Sequence, residues 1–292
     1  MPAPPRSDRD PLIPLLLDRQ SAPTATVMGI VNVTSDSFYA PSRATSSDEA
    51  IWTARRLLAG EADIIDIGAA ASHPDAIAVS AEEEIARLEP VLDGLKDVVG
   101  QISIDSFQPA VQRFALGQGV GYLNDIQGFG DEAMYPALAD SACRLVVMHS
   151  TQRGGVADRR GPLTGSSALD AIVRYFGARL RRLEDAGIAR EQLILDPGMG
   201  FFLSPLPEAS LSVLANLDRL KATFELPVLV SVSRKSFLRA ITDLPPEALG
   251  PASLAAELHA IGRGADIVRT HAPGDLRSAL RVVQALAHYA SS

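Results

Sequence analysis

The sequence predicts a single α/β domain, a (β/α)8 (TIM) barrel of eight parallel strands each followed by a helix. Three observations predict it. Short Val- and Ile-rich runs alternate with long Ala/Leu/Arg/Glu segments from about residue 25 onward, the signature of repeated β/α units. The runs lack polar alternation, so both faces of the sheet are expected to be covered, as in parallel sheets. A polar or charged side chain also stands just past the end of nearly every run. The carboxyl ends of the strands are where such a barrel keeps its chemistry.

Residues 1–24 are rich in Pro, Arg and Asp and read as a flexible arm, leaving 25–292 for the barrel. The first strand is Met28-Gly-Ile-Val31, followed by Asn32; the second holds Ile64-Ile65, followed by Asp66 and Ser72. Ile102-Ser-Ile104 leads to Asp105, Gly121-Tyr-Leu123 to Asn124 and Asp125, and Leu145-Val-Val-Met148 to His149. Leu193-Ile-Leu195 leads to Asp196, Val228-Leu-Val-Ser-Val232 to Lys235, and Asp266-Ile-Val268 to Arg269 and His271. Between them, Ile85, Leu88, Val91, Leu92 and Leu95 make a stripe at three- and four-residue steps, as a helix packed on one face requires. Leu169, Ile172, Val173, Phe176, Leu180 and Leu183 make another. Gly60, Gly100, Gly119, Gly187 and Gly264 each precede a strand, where helix-ending glycines belong. An open doubly wound sheet is the competing architecture, but no Gly-x-Gly-x-x-Gly follows the first strand. Segments 34–47 and 69–80 lack apolar periodicity and read as binding or lid loops, and 150–167 is Gly- and Arg-rich and reads as mobile.

The chain has 292 residues, 47% hydrophobic and 21% charged, with a net charge of -8. That balance argues against nucleic acid as a partner, although a few converging bases could still hold a small anion. The single Cys143 excludes an internal disulfide framework, fits a reducing cytoplasm and reads as a packing residue. No segment is long enough to cross a membrane, since the run Leu12-Ile-Pro-Leu-Leu-Leu17 is short and interrupted by proline. Signatures of serine hydrolases, zinc peptidases and P-loop NTPases are absent.

The strand-end residues sort by chemistry. Asp105, Asn124 and Asp196 supply two carboxylates and an amide, suited to a heterocycle edge with several N–H donors. Taken singly, each also reads as a helix cap or turn residue. In Ser233-Arg-Lys-Ser236, the following helix start, Ser236 and Lys235 suit an anion such as a carboxylate; a solvated basic cluster is the plain alternative. Arg269 and His271 stand where this architecture often binds phosphate, with Asn32 and Asp36 as oxygen ligands for Mg2+. A surface Arg with a His packed beneath a loop is the alternative. Met148 and His149 read as wall residues, His259 as a core or interface histidine, and His73 as a loop residue within reach of a ligand.

Seven motifs together resemble the dihydropteroate synthases: Met28-Gly-Ile-Val-Asn-Val-Thr-Ser-Asp-Ser-Phe38, Ile102-Ser-Ile-Asp-Ser106, Leu123-Asn-Asp-Ile126, Val147-Met-His149, Leu195-Asp-Pro-Gly198, Val232-Ser-Arg-Lys-Ser236 and Val268-Arg-Thr-His271. They occur in that family's order over roughly residues 26 to 285. The resemblance implies an enzyme of folate synthesis joining 6-hydroxymethyl-7,8-dihydropterin pyrophosphate to p-aminobenzoate, by SN1-like loss of pyrophosphate. It implies that Asp105, Asn124, Asp196 and Lys235 hold the pterin, with Met148 in the wall. Asn32 with Mg2+, Arg269 and His271 would hold pyrophosphate, and Ser236 the p-aminobenzoate carboxylate. A cytoplasmic homodimer is expected by analogy. Two stretches depart from the common pattern. Ala71-Ser-His-Pro74 replaces Ser-Thr-Arg-Pro, and Met199-Gly-Phe-Phe-Leu-Ser204 replaces Phe-Gly-Lys. They resemble the sulfonamide-insensitive, mobile resistance type, with Phe201 reshaping the p-aminobenzoate pocket and Ser72 touching substrate. The alternatives are a pterin binder without turnover and a methyl-folate methyltransferase barrel.

Overall fold

The computed structural model describes residues 24–33, 46–70, 79–151 and 165–290. Most of the arm and of the three long segments lies outside them, including Asp36, Ser72 and His73. The described residues form eight strands: β1 (Thr26–Asn32), β2 (Ile64–Gly68), β3 (Ile102–Asp105), β4 (Tyr122–Asp125), β5 (Arg144–Met148), β6 (Leu193–Asp196), β7 (Leu229–Val230) and β8 (Ile267–Thr270). All pairings are parallel, in the order β6-β5-β4-β3-β2-β1-β8-β7. A parallel bridge between Leu195 and Val228 joins the two ends, and Leu195 N–H donates to the Pro227 carbonyl at 2.9 Å. The barrel closes there, as the sequence predicts. The polar residues expected just past the strands are mostly their last paired residues: Asn32 pairs with Gly68, Gly68 with Asp105, and Asp105 with Asn124.

The helices are α1 (Ser47–Leu58), α2 (Ala81–Gly94), α3 (Pro109–Gln118), α4 (Tyr135–Ala139), α5 (Gly165–Asp185), α6 (Pro207–Ala215), α7 (Leu217–Phe224), α8 (Ser236–Thr242), α9 (Gly250–Gly262) and α10 (Pro273–Ala290). Ser46 and Ser80 cap α1 and α2, each accepting a backbone N–H with its hydroxyl. The two apolar stripes fall on α2 and α5. Of the glycines expected to end helices, Gly119, Gly187 and Gly264 have positive φ; α1 instead ends on Ala59 in a right-handed conformation.

Side-chain alternation divides the core into two shells. Outward residues such as Val27, Val31, Ile65, Ile67, Ile104, Leu123, Val147, Leu195, Val230 and Val268 pack against the helices. Inward residues Met28, Ile64, Val146, Ile194, Leu229 and Ile267 fill the lower interior, with Tyr122 against them. Two positions further along those strands stand Ile30, Asp66, Asn124, Met148, Asp196, Ser231 and Arg269. The interior therefore changes from apolar to charged within about one residue pair, roughly 7 Å of rise. Polar groups buried there cost stability that apolar ones would not. The apolar layer beneath offsets that cost, each fully buried aliphatic side chain contributing about 1.5–3 kcal/mol.

Candidate active site

The charged layer opens into a pocket of about 360 Å³ lined by Asp105, Asn124, Ile126, Met148, Asp196, Met199, Phe202, Ser231, Lys235 and Arg269. Six of the eight strands, or the loops that leave them, contribute to it. Arg269 organises the floor. Its Nε donates to Asp66 Oδ2 at 2.5 Å and its Nη2 to Asp105 Oδ2 at 2.7 Å. Asp66 is wholly buried and also accepts from Asn124 Nδ2 at 3.3 Å. Asn124 Oδ1 and Asp66 Oδ1 have no partner among the described residues. Asp196 takes the Gly198 N–H on Oδ1 at 2.8 Å, so its other oxygen is left for a ligand. A guest with several N–H donors would satisfy the acceptors of Asn124 and Asp196, both of which line the pocket.

Burial sets the charges. It pushes Asp105 upward; Arg269 pulls the other way, and the neighbouring Asp66 carboxylate adds to the rise. Burial raises Asp196 to about 6 against the Gly198 hydrogen bond and the Lys235 cation. It lowers Lys235 to about 8, helped by the Arg269 charge and opposed by Asp196 and Asp105. Burial also works against the Arg269 cation, but Asp66 and Asp105 hold it above its ordinary value. The pocket thus contains a fixed cation, a titratable ammonium and carboxyls that exchange protons near neutrality, a combination found at functional sites.

Two turns aim these groups. Gly198 and Gly200 have φ of 71° and 65°. A Cβ on Gly198 would lie 2.2 Å from the His149 carbonyl oxygen, and one on Gly200 would lie 3.0 Å from Ser236 Oγ. Only glycine fits this turn, which brings Gly200–Phe202 against the start of α8. In the second turn Arg234 has φ 58°. Its N–H donates to Ser253 Oγ at 3.0 Å, and its Nη1 donates to the Pro246 and Glu247 carbonyls at 2.5 and 3.1 Å. Arg234 is thereby turned away from the pocket while Lys235 lines it, with Nζ 4.9 Å from the Phe202 ring centroid. The basic cluster expected from sequence is split, and only its lysine lines the pocket.

His271 hydrogen-bonds through Nδ1 with Ser233 Oγ at 3.1 Å. Burial, with the Arg269 and Lys235 charges, lowers it to about 3, so it is a neutral imidazole at pH 7. Phe201 is 51% exposed on the Gly200–Phe202 turn, whereas Phe202 lines the pocket. Ser236 begins α8, and Asn32 ends β1. His149 packs edge-on to Tyr175 and bonds the Pro197 carbonyl at 3.2 Å, and of the two wall residues expected only Met148 lines the pocket. Cys143 is buried, which pushes its thiol up to about 12 and leaves it inert. From sequence Asp66 stands in the strand-end row without a site role, and Phe202 is not singled out. For Asp66 the signal was present: it stands two residues after Ile64 on an inward face, and a mid-strand buried carboxylate needs a cation.

The profile of the family described as "Pterin binding enzyme" matches residues 28–271. "Dihydropteroate synthase type-1" of Escherichia coli is 59% identical over 266 residues, 91% of this chain and 95% of that protein. The chain belongs to the dihydropteroate synthase family. The type-2 synthase of the same organism is 56% identical over 260 residues, covering 89% and 95% of the two chains. The crystal structure of Burkholderia cenocepacia dihydropteroate synthase complexed with 7,8-dihydropteroate has 33% identity and a TM-score of 0.80, covering 92% of this chain and 93% of that one. The barrel described above is thus the dihydropteroate synthase barrel, and its charged layer lies at the end where this architecture builds active sites.

Proposed function

We propose that this chain makes 7,8-dihydropteroate from 6-hydroxymethyl-7,8-dihydropterin pyrophosphate and p-aminobenzoate, the dihydropteroate synthase reaction of folate synthesis. The observation that carries the reading is a pocket in which Asn124 Oδ1 lacks a donor among the described residues and Asp105, Asp196 and Lys235 line the wall beside it. The pterin edge supplies what is missing: Asp196 and Asn124 take its N–H groups, Lys235 meets its carbonyl, and Met148 contributes apolar wall.

In the reaction the bond between the methylene carbon and the pyrophosphate oxygen breaks, and both electrons leave with pyrophosphate. The dihydropterin ring delocalises the cation, and the carboxylate of Asp105 beneath it offsets the charge. The arylamine nitrogen then bonds to the methylene carbon and releases a proton, without a covalent enzyme intermediate. Arg269 and neutral His271 receive the departing pyrophosphate, and Ser236 holds the p-aminobenzoate carboxylate.

Mg2+, held at Asn32, would supply positive charge at the leaving group when bound. Among the described residues no three His, Cys, Asp or Glu side chains form a metal cage. Asn32 would offer one hard oxygen donor, the kind Mg2+ takes. A homodimer belongs to the same proposal, as does a role for Ser72, which lies outside the described residues.

Reduced sulfonamide sensitivity is the finer part of the proposal, resting on Phe201, exposed on the Gly200–Phe202 turn that packs against the start of α8. A pyrophosphate-release assay tests both parts. Release is expected only with both substrates present, and its absence would sink the reaction. Phe201→Gly is expected to lower the inhibitory sulfonamide concentration roughly tenfold, about 1.4 kcal/mol of discrimination. An unchanged titration would remove Phe201 from the explanation.

A further inference from the structure

Behind the pocket wall a buried glutamine joins two strand ends. Gln112 stands on the buried face of α3 with Val111 and Ala115 and is 2% exposed. Its Nε2 donates to the Ser106 carbonyl at 2.9 Å and to Asp125 Oδ2 at 3.0 Å. Both partners are acceptors, which fixes the orientation of the amide. Asp125, also buried, accepts the Phe129 N–H on the same oxygen at 3.0 Å and the Gln127 N–H on Oδ1 at 2.7 Å. These bonds shape a turn in which Gly128 and Phe129 have φ of 64° and 57°. All three partners of Asp125 donate, so the place is built for a carboxylate. Burial works against that charge, and the three N–H groups sustain it.

Packing does not explain this pair, because apolar residues would fill the space without desolvating an amide and a carboxylate. What the pair joins does explain it. Ser106 directly follows Asp105, and Asp125 lies between Asn124 and Ile126; Asp105, Asn124 and Ile126 all line the pocket. The two strand ends meet through the Asp105–Asn124 pairing and through the Ser106 N–H, which donates to the Asn124 carbonyl at 3.1 Å. Past that rung one chain turns into α3 and the other into the turn around Asp125. The Gln112 amide bridges the two.

We infer that Gln112 is a positioning residue: by tying the Ser106 carbonyl to the Asp125 carboxylate it holds the ends of β3 and β4 together, so that Asp105 and Asn124 keep a fixed spacing in the pocket. The inference rests on the reaction proposed above, in which Asp105 offsets the cation while Asn124 takes the pterin N–H groups. Their spacing then sets where the reacting carbon lies over the carboxylate.

Gln192 supplies the control. It too is buried, and its Nε2 donates to the Leu138, Ser141 and Cys143 carbonyls at 3.2, 2.9 and 3.0 Å. It stands at the opposite end of the barrel, where β5 and β6 begin. Gln112→Met and Gln192→Met are each expected to lower the melting temperature, since both leave buried acceptors without a donor. Assayed well below either melting temperature, Gln112→Met should lose on the order of 10- to 100-fold in kcat/KM for the pterin pyrophosphate, the scale of a small misplacement. KM for p-aminobenzoate should hold, because Ser236 lies on α8, and Gln192→Met should keep wild-type kinetics. Asp125→Asn disturbs the same bridge from its other end and serves as the test should Gln112→Met not fold. It should show a similar loss, and the double variant Gln112→Met/Asp125→Asn should be no worse than the more severe single one. Unchanged turnover in Gln112→Met or Asp125→Asn, an equal loss in Gln192→Met, or losses that multiply would each overturn the inference. A wild-type protein without turnover would instead defeat the proposed reaction. Calorimetric titration with the pterin pyrophosphate would then still decide for Gln112: weaker binding in Gln112→Met than in Gln192→Met supports its role, and equal binding overturns it.

Discussion

Arg269→Met is expected to lower kcat/KM by roughly 100- to 1,000-fold and to destabilise the fold by about 3–5 kcal/mol. The two losses have separate causes. Methionine fills the aliphatic part of the site but returns nothing to Asp66 and Asp105, which share the guanidinium at 2.5 and 2.7 Å. Two buried carboxylates would then face one another without a cation, and one must take up a proton to fold. The destabilisation should therefore grow as pH rises. Urea unfolding at two pH values measures it, and equal midpoints for wild type and variant would show that the cluster carries no net stabilisation. Adding Asp66→Asn to Arg269→Met should recover part of the stability and none of the turnover. In the proposed reaction turnover needs the cation at the pyrophosphate, whereas stability needs only that the buried charges balance.

Asp196→Asn is expected to cost on the order of 100-fold or more in kcat/KM for the pterin substrate. An amide can place an N–H where the ring's N–H must donate, and such buried mismatches are strongly rejected. The Gly198 hydrogen bond to Oδ1 can be kept by the amide oxygen, so the turn after β6 should persist. The pH dependence separates binding from folding. Burial raises Asp196 from 3.8 to about 6, so the folded state holds a proton that the unfolded chain has already released. That contribution is fully present below pH 3.8 and is lost as pH rises through about 6. Wild type minus variant stability should accordingly decline over that window and flatten above it. A flat difference from pH 4 to 7, measured by denaturant titration without ligand, would show that Asp196 ionises as an ordinary carboxylate. His271 works in the opposite direction: burial lowers it from 6.5 to about 3, so its contribution is present above pH 6.5 and lost as pH falls toward 3. The difference between variants cancels that term.

Much of the site was legible because strand ends are local features. Asp105, Asn124, Asp196 and Lys235 could be placed on one rim from the apolar runs before them, and all four line the pocket. Phe202 was missed because two adjacent phenylalanines look alike in sequence; the turn through Gly198 and Gly200 exposes one and packs the other under Lys235.

The sequence by itself determined that eight buried parallel strands close into a barrel with polar ends, because burial and alternation are written into neighbouring residues. It also carried the motifs that mark the dihydropteroate synthase family. Tertiary structure decided which of those polar ends meet. Arg269 reaches Asp66 across 203 residues and Asp105 across 164, a convergence fixed by strand register and closure rather than by any local pattern. It also decided the protonation of Asp196, Lys235 and His271. The physical reason is that charge in an interior depends on desolvation and on neighbours brought together only by folding.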